Sequence, residues 1–285
     1  MINFSEAYEE PNFYGGNEKK KTMIYSHKKY LVKFPEPIPN NKYLKNAYSE
    51  YIGSNIFKMS GFNTQNTILG IYKYEDKEKI VCACEDFTSE NLELYEFESL
   101  LLSVNVDKII DTELSDIIEI IEKLEDEFNI MIIDKFWDMF IIDALIGNAD
   151  RHNGNWGFLY NKLDKTMMFA PIYDNGSCLN PLLEDEEISK LNDTELRNII
   201  YNVYSCFKIN NKKKHYFEFI KSRKDNNCNE ALLRVFPNID IAKIKEFILN
   251  IEGMSNIRKN FYISVLNGRY EILTSVYDKL KEASD

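Results

Sequence analysis

The sequence predicts an α+β fold of two lobes, a small β-rich lobe over residues 1–88 and a larger, mostly helical lobe over 89–285. Three observations predict it. Apolar residues recur with strand character around a single helix in the first third of the chain, and with helical spacing from Asn91 onward. No internal repeat or low-complexity linker intervenes, so the two parts meet across a cleft, where ligand sites preferentially form. The most apolar stretch, Met131–Ile146, delivers the chain directly into a polar loop around Asp150.

The elements follow in order. Thr22–Tyr25 and Tyr30–Phe34 read as a hairpin turning over 26–29, and Pro35, Pro37 and Pro39 close its second strand because proline cannot donate to a ladder. Asn41–Met59 carries helical spacing through Leu44, Tyr48, Ile52 and Ile56, with Gly61 placed as a cap. Ile68–Tyr74 and Lys79–Cys84 form another strand pair with a charged turn, and the lobe boundary falls near Phe87–Asn91. Helices are predicted at Leu92–Leu102, Thr112–Phe128 and Ile132–Ile146, the last with Ile133, Phe136, Phe140, Ala144 and Leu145 on one side. Short strands at Trp156–Tyr160 and Thr166–Ala170 follow the polar loop. Further helices span about Asp193–Ser205, Tyr216–Ser222, Ile239–Asn250 and Ser255–Leu280.

Composition excludes several functions. A net charge of −11 argues against direct nucleic-acid binding and against docking on anionic lipid, both of which need clustered positive charge. The only basic runs, Lys19–Lys21 and Lys212–Lys214, read as solvated surface. Asp134, Lys135, Asp138 and Asp143 interrupt Met131–Ile146 and exclude a membrane span, and the acidic start has no apolar core of a signal peptide. Cys82, Cys84, Cys178, Cys206 and Cys228 form no C-x-x-C pair, which fits a reducing cytoplasm, and Cys82 and Cys84 read as core.

The chemistry is concentrated in Gly147-Asn148-Ala149-Asp150-Arg151-His152-Asn153-Gly154-Asn155 and in Tyr173-Asp174-Asn175-Gly176. Asp150 and Asn155 stand five apart, a spacing similar to that of the protein-kinase catalytic loop, where the Asp accepts the substrate hydroxyl proton and the Asn binds magnesium. Asp174 follows in a D-x-G turn, the position of the second metal ligand. Phosphoryl transfer asks mainly for positioning and charge neutralisation, and Mg²⁺ takes few protein ligands because phosphate oxygens and waters complete its octahedron. Taken alone, Asp150–Asn155 also reads as a polar turn around Asn153-Gly154.

Other residues complete an ATP site. Gly15 and Gly16 let backbone N–H groups approach phosphates, or form an ordinary loop. Lys33, in the apolar run Tyr30–Phe34, is costly to bury without an anionic partner. Glu50, seventeen residues on and on the stripe of Tyr43, Ala47 and Ser54, is either that partner or a solvent-facing glutamate. Glu85 and Phe87 end the small lobe, where backbone groups would pair with adenine as a hinge; Phe87 reads equally as core. His152 reads as a brace for the catalytic loop, because Asp150 already supplies a base. Ser177–Asn192, acidic over Glu184–Glu187, is either a recognition surface or a solvated loop.

The ordered set, from the glycine loop through Y-x-V-K-F-P, the helix Glu, E-x-F and I-G-N-x-D-R-H-x-x-N to P-x-Y-D, resembles the HipA-like serine/threonine kinases, in particular short forms of the CtkA group. The resemblance runs from about Tyr14 into the C-terminal helices. It implies a bilobal protein-kinase-like fold and a protein kinase using ATP with Mg²⁺ or Mn²⁺ on Ser or Thr. Lys33 would then lie on the ATP phosphates, with Asp150 as catalytic base and Asn155 and Asp174 on the metal. It extends to a toxin held by an antitoxin or other regulatory protein. Two departures stand out. Only about a dozen residues precede Gly15, so contacts of the extra N-terminal domain in longer HipA proteins do not carry over. Family members can be silenced by phosphorylation of a phosphate-loop serine, whereas no Ser or Thr lies between Pro11 and Lys21 here.

Other classes are weighed too. D-R-H-N-G-N also looks like the loop of phosphoinositide kinases, which continue to an I-D-F-G-type segment and need positive surface; this chain has Ile172-Tyr173-Asp174-Asn175-Gly176 and is acidic. A small-molecule phosphotransferase is another alternative. A nucleotide-binding pseudokinase is disfavoured by retention of Lys33, Asp150, Asn155 and Asp174 together.

Overall fold

The structure, a computed structural model, describes residues 1–11, 20–35, 37–38, 42–43, 45–74, 77–104 and 113–283. Gly15, Gly16 and most of the interval between Pro11 and Lys21 lie outside the described residues, as does Asn41 at the predicted start of the first helix.

The amino-terminal lobe is a six-stranded sheet with one helix against it. In chain order its strands are β1 (Ile2–Asn3), β2 (Tyr8–Glu10), β3 (Lys20–Tyr25) and β4 (Lys28–Lys33); after the small pair β5 (Pro37–Ile38) and β6 (Lys42–Tyr43) and the helix α1 (Asn46–Met59) come β7 (Thr67–Tyr74) and β8 (Lys77–Glu85). The sheet order is β1-β7-β8-β4-β3-β2. The β3–β4 turn is two residues long, with Ser26 and His27 both left-handed at φ 49° and 63°, the twist that suits a tight hairpin. β4 lies between β3 and β8, with Lys33 opposite Lys20 on one side and Cys82 on the other. Cys82 and Cys84 are fully buried beneath α1.

The carboxy-terminal lobe begins with a correction. Leu92–Leu102 is not one helix: β9 (Leu92–Glu96) pairs antiparallel with β10 (Gly157–Asn161), and only then does α2 (Phe97–Val104) begin. Leu92-Glu93-Leu94 alternates apolar and charged residues, which fits a strand with one face on Leu159. α3 (Leu114–Phe128) and α4 (Ile133–Ile146) follow, then β10, β11 (Thr166–Phe169), α5 (Asp185–Ile188) and α6 (Asp193–Tyr201). Where a helix was expected to run to Ser205, β12 (Tyr204–Ile209) turns through left-handed Asn210 and Asn211 into β13 (Lys212–His215). α7 (Tyr216–Ser222) is followed by α8 (Asn226–Val235), a helix with no counterpart in the sequence reading, capped by the Asp225 carboxylate accepting from Cys228 N–H. α9 (Ile241–Leu249) and α10 (Asn256–Glu282) complete the lobe.

Helix α4 is the axis of the large core. Every residue from Phe136 to Ile146 is buried, including two aspartates. Each finds an arginine: Asp138 accepts from Arg234 Nε at 2.9 Å, and Asp143 from Arg151. Such pairing is the condition for burying a carboxylate. Among the described residues no helix is long and apolar enough to cross a membrane.

The end of α4 explains the glycine in the loop motif. Gly147 caps the helix at φ 66°, and a Cβ there would lie 2.2 Å from Arg269 Nη1, a buried guanidinium reaching the carbonyls of Leu145, Ile199 and Ile200. Burial lowers the Arg269 pKa to about 10. Left-handed backbone alone costs an L-residue about 1–2 kcal/mol. Gly147→Ala, which adds the clash, is therefore expected to lower the unfolding free energy by roughly 2 kcal/mol or more in urea titration. A change under about 0.5 kcal/mol would contradict this packing.

Candidate active site

The small lobe supplies the cation. The Lys33 side chain, at the end of β4, is almost wholly buried, and its ammonium donates to Glu50 Oε2 at 2.8 Å and to Asp174 Oδ1 at 2.6 Å. Glu50 sits mid-way along α1, 1% exposed. Its other oxygen, Oε1, accepts the Asn175 N–H at 2.9 Å, so one carboxylate grips both lobes. α1 approaches this turn closely: a Cβ on Gly53 would stand 2.7 Å from that of Asn175.

The large lobe supplies the loop. Arg151 is its hub. Nε and Nη2 clasp the two Asp143 oxygens at 2.9 and 3.0 Å, Nη1 donates to the carbonyls of Asn155 and Tyr173 at 2.8 and 2.5 Å, and Nη2 donates to Asn175 Oδ1 at 2.6 Å. The guanidinium also lies over the Phe57 ring of α1. Burial is the largest single effect on Arg151 and lowers its pKa, but the charge and hydrogen bond of Asp143, joined by the charges of Tyr216 and Asp174, together outweigh it and the net shift is upward. For Asp143 burial is the larger effect and raises the carboxyl, with Arg151 holding it down. The Asp143 end is fixed further by Asn148 Nδ2 at 3.1 Å.

This scaffold leaves the chemistry-bearing atoms facing the cleft. The Asp150 main chain is engaged, its N–H donating to Asn148 Oδ1 and its carbonyl accepting from Asn155 Nδ2 at 2.8 Å and from His152 N–H. Its carboxylate is exposed and, among the described residues, meets only Ser177 Oγ, at 3.5 Å. Because Asn155 spends its NH₂ on Asp150, its Oδ1 is the group left over, with no hydrogen bond among the described residues. Asp174 adopts a left-handed φ of 56°, an uncommon conformation for a non-glycine residue that clusters at functional sites. Burial works against its ionisation, but the Lys33 charge and hydrogen bond, with help from Arg151, lower its pKa below the ordinary value. Asn155 Oδ1 and the Asp174 carboxylate are hard oxygen donors, and the donor set fits a divalent metal that takes most of its coordination from phosphate and water.

The cleft encloses about 540 Å³, a size suited to a nucleotide. Leu31, Phe87, Leu94 and Tyr173 give it apolar lining, with the Phe87 and Tyr173 rings 5.9 Å apart. Of the sequence candidates, Lys33, Phe87, Asp150, Asn155 and Asp174 line it. Glu50 stands behind Lys33. Glu85 does not reach the cleft: its N–H donates to the Asn66 carbonyl, its C=O accepts from Gln65 Nε2, and its carboxylate pairs with Lys28. The Phe87 N–H and C=O carry no hydrogen bond among the described residues.

Sequence reading missed Asp143, Asn148, Asn175 and Ser177. Asp143 carries a signal, an acid inside the apolar run Met139–Ile146 shortly before an arginine, but from sequence it reads only as an interruption of a membrane span. His152 lines the cleft and accepts the Gly154 N–H at Nδ1, 3.0 Å away. Ser177–Asn192 is no solvated loop: Cys178 and Leu179 are buried, and the acidic run starts α5 behind a capping box.

Comparison with known proteins decides the family. The model of the HipA-like C-terminal domain matches residues 13–235. The serine/threonine-protein kinase CtkA of Helicobacter pylori (strain J99) is 39% identical over 275 residues, covering 93% of this chain and 83% of CtkA. The chain belongs to the HipA-like serine/threonine kinases. The crystal structure of the H. pylori proinflammatory kinase CtkA superposes with a TM-score of 0.90 at 37% identity, over 100% of this chain and 99% of that one. A Shewanella oneidensis HipA, solved with HipB and operator DNA, gives a TM-score of 0.56 at 16% identity over 93% of this chain and 66% of that chain, a likeness of fold. As in this family, the chain is built for ATP-dependent phosphotransfer, with a divalent metal the usual companion of that reaction.

Arg151→Ala removes the cation from a buried pair, and is expected to cost about 3–5 kcal/mol because Asp143 is left charged and buried. The deficit should depend on pH. Without Arg151 the raised Asp143 pKa rises further above its unfolded value, so the folded state takes up the proton first and the variant regains stability as pH falls through that value. Thermal denaturation of both proteins from pH 8 to pH 5 checks this; a deficit constant with pH would contradict it.

Proposed function

We propose that this HipA-like kinase transfers the γ-phosphoryl group of Mg²⁺-bound ATP to a serine or threonine hydroxyl of a protein, with Asp150 as the base. The observation that carries the reading is the single cleft in which the Lys33 ammonium, tied to Glu50 and Asp174, faces the Asp150 carboxylate and Asn155 Oδ1. Residue roles follow from the atoms each leaves free. Lys33 presents its charge to the phosphates and Glu50 positions it. The free Phe87 backbone groups, rather than those of Glu85, serve adenine. Asn155 and Asp174 hold the metal, which when bound neutralises charge developing on the transferred group. Asp150 orients the acceptor hydroxyl and takes its proton. The phosphate-covering role of Gly15 and Gly16 is part of the same reading. The likeness to the antitoxin-bound HipA is one of fold and assigns no partner.

Three outcomes are expected. Mg-ATP at a hundredfold excess over Kd should stabilise the protein by about 2.7 kcal/mol; no thermal shift and no calorimetric heat would refute nucleotide binding. Asp150→Asn should still bind ATP while transfer to protein falls by roughly 10² to 10⁴, measured with labelled ATP and cell lysate. Label found only in lipid or small metabolites would overturn the protein-acceptor assignment. Asn155→Ala and Asp174→Ala should need far more Mg²⁺ or Mn²⁺ for any residual turnover, and an unaltered metal titration would exclude them as ligands.

A further inference from the structure

The chain delivers one of its own hydroxyls to the proposed base. Ser177 Oγ stands 3.5 Å from Asp150 Oδ2 and lines the same cleft as Lys33, Asn155 and Asp174. That distance is longer than the roughly 2.5–3.0 Å of a formed O–H···O bond and places the hydroxyl next to the carboxylate, and catalytic contacts of this kind are often long in the free enzyme and tighten when substrate is bound. Ser177 makes no other side-chain hydrogen bond among the described residues, so its hydroxyl serves no visible turn or cap.

The backbone carrying it is clamped on both sides. Before it, Asn175 is held by Glu50 through its N–H, by Ser54 through Nδ2 and by Arg151 through Oδ1. After it, the buried Cys178 turns its N–H back to the Asn175 carbonyl at 3.2 Å and its thiol to the Ser49 carbonyl at 3.2 Å. The buried Leu179 donates its N–H to the Ile146 carbonyl at 3.0 Å, at the end of α4. Ser177 is therefore presented by a fixed turn, with an effective concentration at Asp150 no diffusing acceptor matches.

We propose that Ser177 is a phosphoacceptor of this kinase, modified in cis at its own catalytic cleft; the proposal rests on the reading of Asp150 as base. In the step, the Ser177 Oγ–H proton passes to the Asp150 carboxylate and Oγ forms a bond to the γ-phosphorus of ATP. The bond from that phosphorus to the bridging oxygen of the β-phosphate breaks, and ADP leaves with the electron pair. The product carries about −1.5 to −2 charge at neutral pH, set beside the Asp150 carboxylate in the place an incoming hydroxyl must take. Modification thus limits the enzyme's own activity, by a residue outside the segment preceding the first hairpin, where no Ser or Thr lies between Pro11 and Lys21.

The test uses the full chain, freed of phosphate by a phosphatase and then incubated with Mg-ATP at protein concentrations spanning two decades. Peptide mapping, ADP release and transfer to casein are followed together. The expected result is a single phosphate on Ser177, appearing at a rate independent of protein concentration, while transfer to casein declines in parallel. Ser177→Ala should carry no phosphate on that peptide and should hold its casein activity through the preincubation. ADP release and casein labelling that continue undiminished while Ser177 is still unmodified at the end of the incubation overturn the proposal, and a rate proportional to protein concentration overturns its cis character. A Ser177→Ala variant as inactive as Asp150→Asn would make Ser177 a positioning residue and overturn it too. No ATP turnover of any kind would instead bring down the kinase reading, and the assignment of Ser177 with it.

Discussion

The site depends first on one buried guanidinium. Arg151 joins α4, the Asp150–Asn155 loop and the D-N-G turn by clasping Asp143, two main-chain carbonyls and Asn175 at once. A planar fork with five donors suits this task; a lysine would offer a point charge and leave carbonyls unmet. Desolvating such a pair makes it a poor source of net stability, but removing either member is costly. The arrangement is therefore understood as a device for position. Asp150 and Asn155 share one loop and Asp174 stands on a turn nineteen residues beyond Asn155, and Arg151 ties the two segments together through the Asn155 and Tyr173 carbonyls and the Asn175 side chain.

A second economy concerns charge in the cleft. Lys33 faces two carboxylates, and Asp174 is kept ionised by that proximity against the effect of burial. The cluster has an excess of negative charge that suits a divalent cation, while the lysine suits phosphate. A polyphosphate and its metal arriving together would neutralise both demands, which is the electrostatic pattern phosphoryl transfer requires. The left-handed backbone at Asp174 is stabilised by the same contacts: the neighbouring carbonyl of Tyr173 and the N–H of Asn175 are both held from outside the turn.

How much of this was legible in the sequence varies with the range of the interaction. The apolar run that carries Lys33, bounded by a turn and by prolines, and the long apolar helix before Asp150 were readable because their signals are local. Leu92–Glu96 was not, because its pairing partner lies over sixty residues downstream and a short apolar-charged run fits helix and strand alike. The Asn210-Asn211 turn carried no signal in the reading, so the hairpin it forms went unassigned, with only Tyr204 and Ser205 falling inside an expected helix. At the site, residues marked by unusual type or spacing were found: Lys33 in an apolar strand, Asp150 with Asn155, Asp174 in its turn. Glu85 was placed by its position after a strand, whereas the side-chain and backbone bonds that occupy it come from Lys28, Gln65 and Asn66, which no local pattern connects to it. Asn175 was invisible as a contributor because its role consists wholly of contacts to α1 and Arg151.

The double use of Glu50 has a mechanical consequence. One oxygen serves Lys33 in the small lobe and the other serves the main chain of the D-N-G turn in the large lobe. Outward swing of α1 would take the Glu50 bond from Lys33 and from the turn in the same movement, leaving the lysine to Asp174 and the turn to Arg151. The position of α1 therefore bears at once on the lysine and on the main chain of the turn that carries Asp174.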